Sequence, residues 1–397
     1  MKFETNHIPS DALHCGMELC REIRRLGFEA YVVGGCVRDI VMSELGISPI
    51  PGMLDIHDVD IATNMPMPTI KEIFRTESNN GEAHGTLLVF YGMGDPFEVT
   101  QFRQDGNYTD GRHPDTVTFA KTFAEDCSRR DFTINAMGLD GDGNLIDPMN
   151  GLADLQKGVI RAVGNPIERF AEDPLRIIRG IRFATNFGFT IDPDTKLAMN
   201  IAGPGLCKVS KERFRKEITS LNKKNYGLST FLQFIYQMEL AKHIPIFRHM
   251  NFMDAFENSL LLPDLRNDNV FAVMALAYDD ITNAEAELTM TNDEKRLYKF
   301  YRWARYVLQY GSRPSWTELV KIVLGDYRTV LAIMQNKTEW LWTIPVALRM
   351  AKGFQPDTKK ISDLIFKDGV QPGPEFGKRV REMTEQYWTT VAANFLP

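Results

Sequence analysis

Val32-Val33-Gly34-Gly35-Cys36-Val37-Arg38-Asp39, followed a short way on by Asp58-Val59-Asp60-Ile61-Ala62-Thr63, is the stretch that decides the fold. The apolar run before Gly34 reads as a strand, and the paired glycines lead it into a helix that continues to about Glu44. If the second run is also a strand, period two puts Asp58 and Asp60 on one face, where two divalent cations and a triphosphate can meet them. Two residues without Cβ let backbone N–H groups approach phosphate oxygens, and the helix N-terminus adds partial positive charge. Arg38, one turn into that helix, can aim a guanidinium at the same phosphates, with Asp39 orienting the arginine or capping the turn. A Gly-Gly pair alone marks many tight turns, and Asp-x-Asp alone marks many solvated loops. Together with the arginine they imply nucleotidyl transfer.

The chain of 397 residues, 44% hydrophobic, is long enough for two or more cores. A net charge of -6 argues against a protein that coats nucleic acid by bulk charge and leaves room for a local basic groove. Five scattered cysteines without a Cys-x-x-Cys pair fit a reduced cytoplasmic compartment and no structural zinc. The opening residues lack an apolar core, so no secretory signal is expected, and no apolar run is long enough to span a membrane. The seven histidines show no metal spacing. No obligate protein partner is evident.

The first part reads as α/β: a helix over roughly Asp11 to Leu26, strands at Ala30 to Val33, Thr86 to Tyr91, Phe97 to Phe102 and Val117 to Phe119, a helix over Ser128 to Met137, and a short strand at Leu145 to Asp147. Beyond about Asn165 apolar residues recur at helical spacing, in Pro174 to Phe187, Val209 to Leu221, Ser229 to Leu240, Phe271 to Leu276, Lys295 to Gln309 and Thr317 to Leu324.

Residues 31 to 39, 55 to 63, 98 to 103, 125 to 137 and 172 to 183 resemble, in order, the successive motifs of the class II tRNA nucleotidyltransferase and bacterial poly(A) polymerase family. The resemblance implies an α+β fold: a polymerase β-like nucleotidyltransferase head over 1–164, then an all-helical neck at 165–230, body at 231–325 and tail at 326–397. It implies an enzyme that extends RNA 3′ ends without a nucleic acid template. Gly81-Glu82-Ala83-His84-Gly85-Thr86 resembles the entry seen in CCA-adding members, and no Gly-Arg-Arg-Phe-like run of the poly(A) polymerases follows the carboxylates. The leading expectation is therefore addition or repair of the tRNA 3′ CCA from CTP and ATP. Alternatives are a poly(A) polymerase or A-adding enzyme of the same fold, and a catalytically idle RNA-binding protein.

Carried over by motif, Asp58 and Asp60 resemble the ligands of two Mg²⁺ ions. Glu98 is either a third carboxylate beside them or a surface-facing strand residue. Gly34, Gly35 and Arg38 are expected at the triphosphate, and Arg129, Arg130 and Asp131 at phosphate or ribose oxygens. Glu172-Asp173-Pro174-Leu175-Arg176-Ile177-Ile178-Arg179-Gly180-Ile181-Arg182-Phe183 resembles the family's protein template, with Asp173 and Arg176 meeting cytosine or adenine and Arg179 and Arg182 continuing the basic face. An aspartate accepts from an exocyclic amine and an arginine donates to ring acceptors, which disfavours guanine and uracil. Arg103 to Thr116, with Tyr108, Asp110 and Arg112, resembles the loop that switches C addition to A addition. The cations Lys208, Lys211 and Arg213, and then Lys295, Lys299 and Arg302 on one side of a later helix, are expected to meet the tRNA 3′ end, acceptor stem and T-arm.

Overall fold

The computed structural model describes residues 1–3, 8, 10–47, 56, 58–78, 82, 85–92, 94–106, 117–221, 227–255, 267–278, 280–310, 315–324, 347, 356–368 and 370–393. The chain divides into two compact units, one holding 1–222 and 230–248, the other 223–229 and 249–397.

The first unit is built on a sheet. Helix α1, Asp11–Arg25, starts where the Ser10 hydroxyl accepts the Leu13 N–H, and it buries Leu13, Met17, Cys20 and Ile23 at i+4 and i+3 spacing. Strand β1, Ala30–Val33, runs into α2, Gly35–Glu44. Strand β2, Asp60–Thr63, lies antiparallel to β1 with Val33 opposite Asp60. Helix α3, Met67–Ile73, precedes β3, Arg75–Ser78. Strands β4, Thr86–Phe90, and β5, Phe97–Gln101, form the expected hairpin. Strand β5 is parallel to β2, with Ile61 beside Val99, so Asp60 and Glu98 hold adjoining positions at the strand starts and face the same side. Two short strands pair off the sheet as β6, Arg103–Asp105, and β7, Val117–Phe119. With β8, Gly138–Leu139, and β9, Leu145–Ile146, the main sheet has the order β3-β4-β5-β2-β1-β8-β9. Below β1 and β2 a cluster of Val33, Ala62, Phe102, Phe123, Cys127 and Val163 fixes the strands that carry the carboxylates. Tyr31 adds its ring at 4.7 Å from that of Phe123.

The expected helix over Ser128 to Met137 is not formed. Helix α4 instead spans Phe123–Ser128, because Thr122 and Glu125 make a reciprocal capping box that starts it early. After it, Asp131 Oδ1 accepts the Phe132 N–H and the Asn135 side-chain amide, a local turn that competes with helix, and only a 3₁₀ turn follows at Thr133–Asn135.

Helix α5, Gly151–Lys157, and the parallel pair β10, Val159–Ile160, and β11, Thr190–Ile191, bracket the helical part that follows. Helix α6, Pro166–Glu172, starts with proline after the Asn165 cap. Helix α7, Leu175–Phe187, buries Leu175, Ile177, Ile178, Ile181, Phe183 and Ala184 and leaves its arginines on the other face. Helices α8, Pro193–Ala202, α9, Lys211–Thr219, and α10, Gly227–Gln237, continue the chain.

In the second unit the described helices include Asn267–Ala275, Ile281–Leu288, Asn292–Tyr310, Trp316–Leu324, Thr358–Lys367 and Pro374–Ala393. Among the described residues no helix is long and apolar enough to cross a membrane.

Candidate active site

Gly34 turns β1 into α2 with φ of 85°, a conformation that a residue with a Cβ would strain to adopt. A Cβ at Gly34 would lie 3.4 Å from Asp60 Oδ2, so the glycine turn and the aspartate are in immediate contact. Asp58 stands before the strand and is exposed, a difference from the expected two-residue alternation, because regular β pairing begins only at Asp60. Glu98 is also exposed. Burial, followed by the charges of Asp58 and Glu98, pushes the Asp60 carboxyl up to about 6, with Arg130 opposing the rise. Asp58 and Glu98 thus both lie near enough to act on Asp60, and Glu98 stands beside it in the sheet register. Among the described residues no three His, Cys, Asp or Glu side chains gather tightly enough to hold a metal by themselves. Mg²⁺ characteristically takes one or two carboxylates and completes its shell with water and substrate phosphate, which this donor set fits.

Arg38 is held rather than free. It donates to Asp39 Oδ1 from Nε at 2.9 Å and to Asn135 Oδ1 from Nη1 at 2.8 Å, and its guanidinium lies over the Phe183 and Phe187 rings of α7 at 5.2 and 4.9 Å. Its Nη2 is 3.4 Å from where a Gly35 Cβ would stand. Asp39 thus orients the arginine, as expected.

Arg129 and Arg130 fold back onto Asp126, at 2.7 Å and 3.1 Å, a carboxylate almost wholly buried. Burial would raise Asp126, but the two arginines outweigh it and hold its carboxyl below the usual range. Arg130 also donates to the Asn135 carbonyl, while its Nε is buried without a hydrogen-bond partner. Asp131, expected at a ribose hydroxyl, is committed to protein: it accepts from Phe132, Asn135 and, at 2.8 Å, Arg179 Nε.

The residues expected to read the base are brought together between α6, α7 and α9. Asp173 lies between α6 and α7 and accepts from the Leu175 N–H at 3.1 Å. It is held by Arg213, which was expected to face RNA. Arg176 donates to Glu172, to the Arg169 carbonyl and to the Arg129 carbonyl. Arg179 pairs with Asp131, and Arg182 with Glu217 at 2.6 Å. Asp126, Asn135 and Glu217 thus organise the site without having been singled out for it. Only Asp126 carried a local signal, an acid three and four residues before arginines; Asn135 and Glu217 bind Arg38 and Arg182, which are 97 and 35 positions away.

Of the remaining cations, Lys208, Lys299 and Arg302 are exposed, whereas Lys295 pairs with Glu285 at 3.1 Å. Tyr298 and Tyr301 are buried in the second unit's core. Tyr108, Asp110 and Arg112 lie outside the described residues.

Residues 30–161, which carry the glycine turn, the carboxylates and the arginine-rich turn, match the Poly A polymerase head domain. Fold and site therefore define a polymerase-type nucleotidyltransferase. The chain is 42% identical over 416 residues to the CCA-adding enzyme of Levilactobacillus brevis, an alignment covering 99% of this chain and 98% of that one. The alignment with the CCA-adding enzyme of Lactobacillus johnsonii, 38% identical, covers 68% and 65%. The structure of the Bacillus stearothermophilus CCA-adding enzyme in complex with CTP superposes with a TM-score of 0.71 at 25% identity, covering 97% of this chain and 94% of that one. A Thermotoga maritima CCA-adding enzyme complexed with tRNA shares the fold, with a TM-score of 0.70 at 20% identity and coverage of 99% and 97%. The chain belongs to the CCA-adding enzyme family.

Proposed function

We infer that the chain adds or repairs the 3′-terminal CCA of tRNA from CTP and ATP, releasing pyrophosphate. The observation that carries this reading is the contact of Gly34 with Asp60, beside Asp58 and Glu98, in a chain related over its whole length to CCA-adding enzymes. Relatives with CTP and with tRNA bound supply the nucleotide and RNA partners.

In this reading residues 1–164 act as head, 165–230 as neck, 231–325 as body and 326–397 as tail. Asp58 and Asp60 would hold the Mg²⁺ ions, with Glu98 keeping the local potential negative. Bound there, Mg²⁺ makes the RNA 3′-hydroxyl more acidic and neutralises charge on the leaving pyrophosphate. The N–H groups at Gly34 and Gly35, with Arg38 and Arg130, hold the triphosphate so that its α-phosphorus faces the hydroxyl. Asp173 and Arg176 present an acceptor and donors to the base edge, a pattern that cytosine and adenine satisfy and uracil and guanine do not. Asp131, Arg179, Glu217 and Arg182 keep that surface fixed to the head. The exposed Lys208, Lys299 and Arg302 offer charge to the tRNA backbone. A cytoplasmic location is the matching proposal, since a chain with five free cysteines suits a reducing compartment.

The test is a comparison of Asp58→Asn and Asp60→Asn with the unchanged chain on a tRNA ending at its discriminator base. Both C and A transfer should vanish while tRNA affinity persists, because the carboxylates serve each step alike. Turnover within about tenfold of the unchanged chain, a loss worth only about 1.4 kcal/mol of barrier, would overturn the assignment.

A further inference from the structure

Arg213 reaches from α9 to Asp173 with both ends of its fork, Nη1 to Oδ1 at 3.2 Å and Nη2 to Oδ2 at 2.7 Å. Oδ1 also accepts the Leu175 N–H. An ionised carboxylate offers about four acceptor positions. Three are therefore filled by protein, and the remaining one lies on Oδ2. The fork fixes the plane of the carboxylate, and therefore the direction of that last acceptor, in a way that a single point charge cannot.

The arginine is itself held firmly. Ser210 caps α9 by accepting the Arg213 N–H, and the neighbouring Phe214 is buried against Phe231 and Phe247. Arg213 nevertheless stands in the first turn of its helix, where the helix dipole favours acids over bases. A locally unfavourable charge in a rigid position, spent wholly on one carboxylate, points to a role for that carboxylate beyond stability.

We propose that Arg213 is a specificity-determining positioning residue: it aims the single open acceptor of Asp173 at the exocyclic amine of cytosine or adenine. This rests on the reading of Asp173 as a base-recognising residue. Without the fork the carboxylate rotates, its acceptors are no longer set by the protein, and discrimination against bases that lack the amine weakens. Arg213 acts through Asp173 and contacts no reacting atom.

The experiment measures kcat/KM for CTP, ATP, UTP and GTP, and KM for tRNA, in Arg213→Ala, Arg213→Lys and Asp173→Ala. Arg213→Lys keeps the charge and the local packing while removing the fork, so it decides the matter if the alanine variant folds poorly. The CTP to UTP preference should fall roughly tenfold in Arg213→Ala, and several-fold in Arg213→Lys, while KM for tRNA stays within about threefold; these are magnitudes of a lost base-edge contact. A preserved CTP to UTP ratio in both variants overturns the proposal. So does an equal loss for all four nucleotides accompanied by a raised KM for tRNA, which would make Arg213 an RNA contact. If Asp173→Ala also preserves the ratio, the base-recognition reading itself fails. If Asp173→Ala loses it and both Arg213 variants keep it, only the role of Arg213 fails.

Discussion

Arg179 donates from Nε to Asp131 Oδ2 at 2.8 Å and from Nη2 to the same oxygen at 2.7 Å, tying α7 to the arginine-rich turn after α4. Asp131 in turn receives the Asn135 amide, and the Asn135 oxygen receives Arg38. On the other side Arg179 lies 3.7 Å from Glu217, which binds Arg182. A continuous polar chain thus joins α2, which follows the glycine turn, to α7. The two ends of one nucleotide would be gripped by elements that cannot move independently without breaking it.

Asp131→Asn should cost roughly 3 kcal/mol at neutral pH, because it leaves Arg179 without its buried counter-charge. Burial alone would raise the Asp131 carboxyl, but Arg179 and Asn135 outweigh it and hold it at about 2. A depressed folded pKa means that the pair's contribution is present above the unfolded value of about 4 and is lost as pH falls toward about 2. Urea titrations from pH 7 to pH 3 should therefore show the gap between the two proteins narrowing with acid. A gap that stays constant would show that Asp131 contributes by shape rather than charge.

Gly180→Ala should destabilise the first unit although alanine is the better helix former by about 1 kcal/mol. An added Cβ would stand 2.4 Å from Met199 Cε and 2.7 Å from Phe132 Cζ, and the Phe132 ring is fully buried. Methionine can yield but the ring cannot, so overpacking should leave a net loss of roughly 1–2 kcal/mol in thermal or urea unfolding. Equal or greater stability would mean that α7 can shift away from the Phe132 turn.

Asp60→Asn should stabilise the metal-free protein while destroying its activity. The folded carboxyl is raised to about 6, first by burial and then by Asp58 and Glu98. A raised carboxylate favours the folded state only while protonated, a contribution complete below about pH 4 and lost as pH climbs through about 6. At pH 7 the ionised group is a burden of on the order of 1–3 kcal/mol, which the neutral amide removes. Thermal unfolding in a chelator should show a higher Tm for Asp60→Asn at pH 7 and convergence near pH 4. A lower Tm at pH 7 would contradict the burden that burial and the neighbouring acids place on the ionised Asp60.

Much of this was legible in the sequence because it is local. The strand at Ala30–Val33, its glycine exit and the helix to Glu44 follow from the pattern of Val32 to Asp39, and the β4-β5 hairpin from alternation around its glycines. The six helices read from apolar periodicity in the second half stand within a few residues of those runs, whereas Pro193–Ala202, Ile281–Leu288, Thr358–Lys367 and Pro374–Ala393 went unread. The stretch from Ser128 to Met137 was misread as helix because its structure is set by side chains turning back on the backbone and on Asp126, which periodicity does not register. Arg213 was read as an RNA contact for a related reason. Its partner Asp173 is 40 positions away, and a cation near other cations resembles a solvated basic face until the fold supplies the acid. Strand β3 and helix α3 went unread because they are short and only partly buried.

Whether this chain builds CCA is measured most directly with three tRNA substrates, ending at the discriminator base, at CC and at CCA. Each is incubated with CTP alone, ATP alone or both, in Mg²⁺, and the 3′ ends are sequenced. The expected result is two cytidines from CTP on the shortest tRNA, one adenosine from ATP on the CC end, the complete CCA from both, and little extension of the finished end. Long adenosine tails, adenosine added only to CC ends, or no incorporation by the folded chain would contradict it.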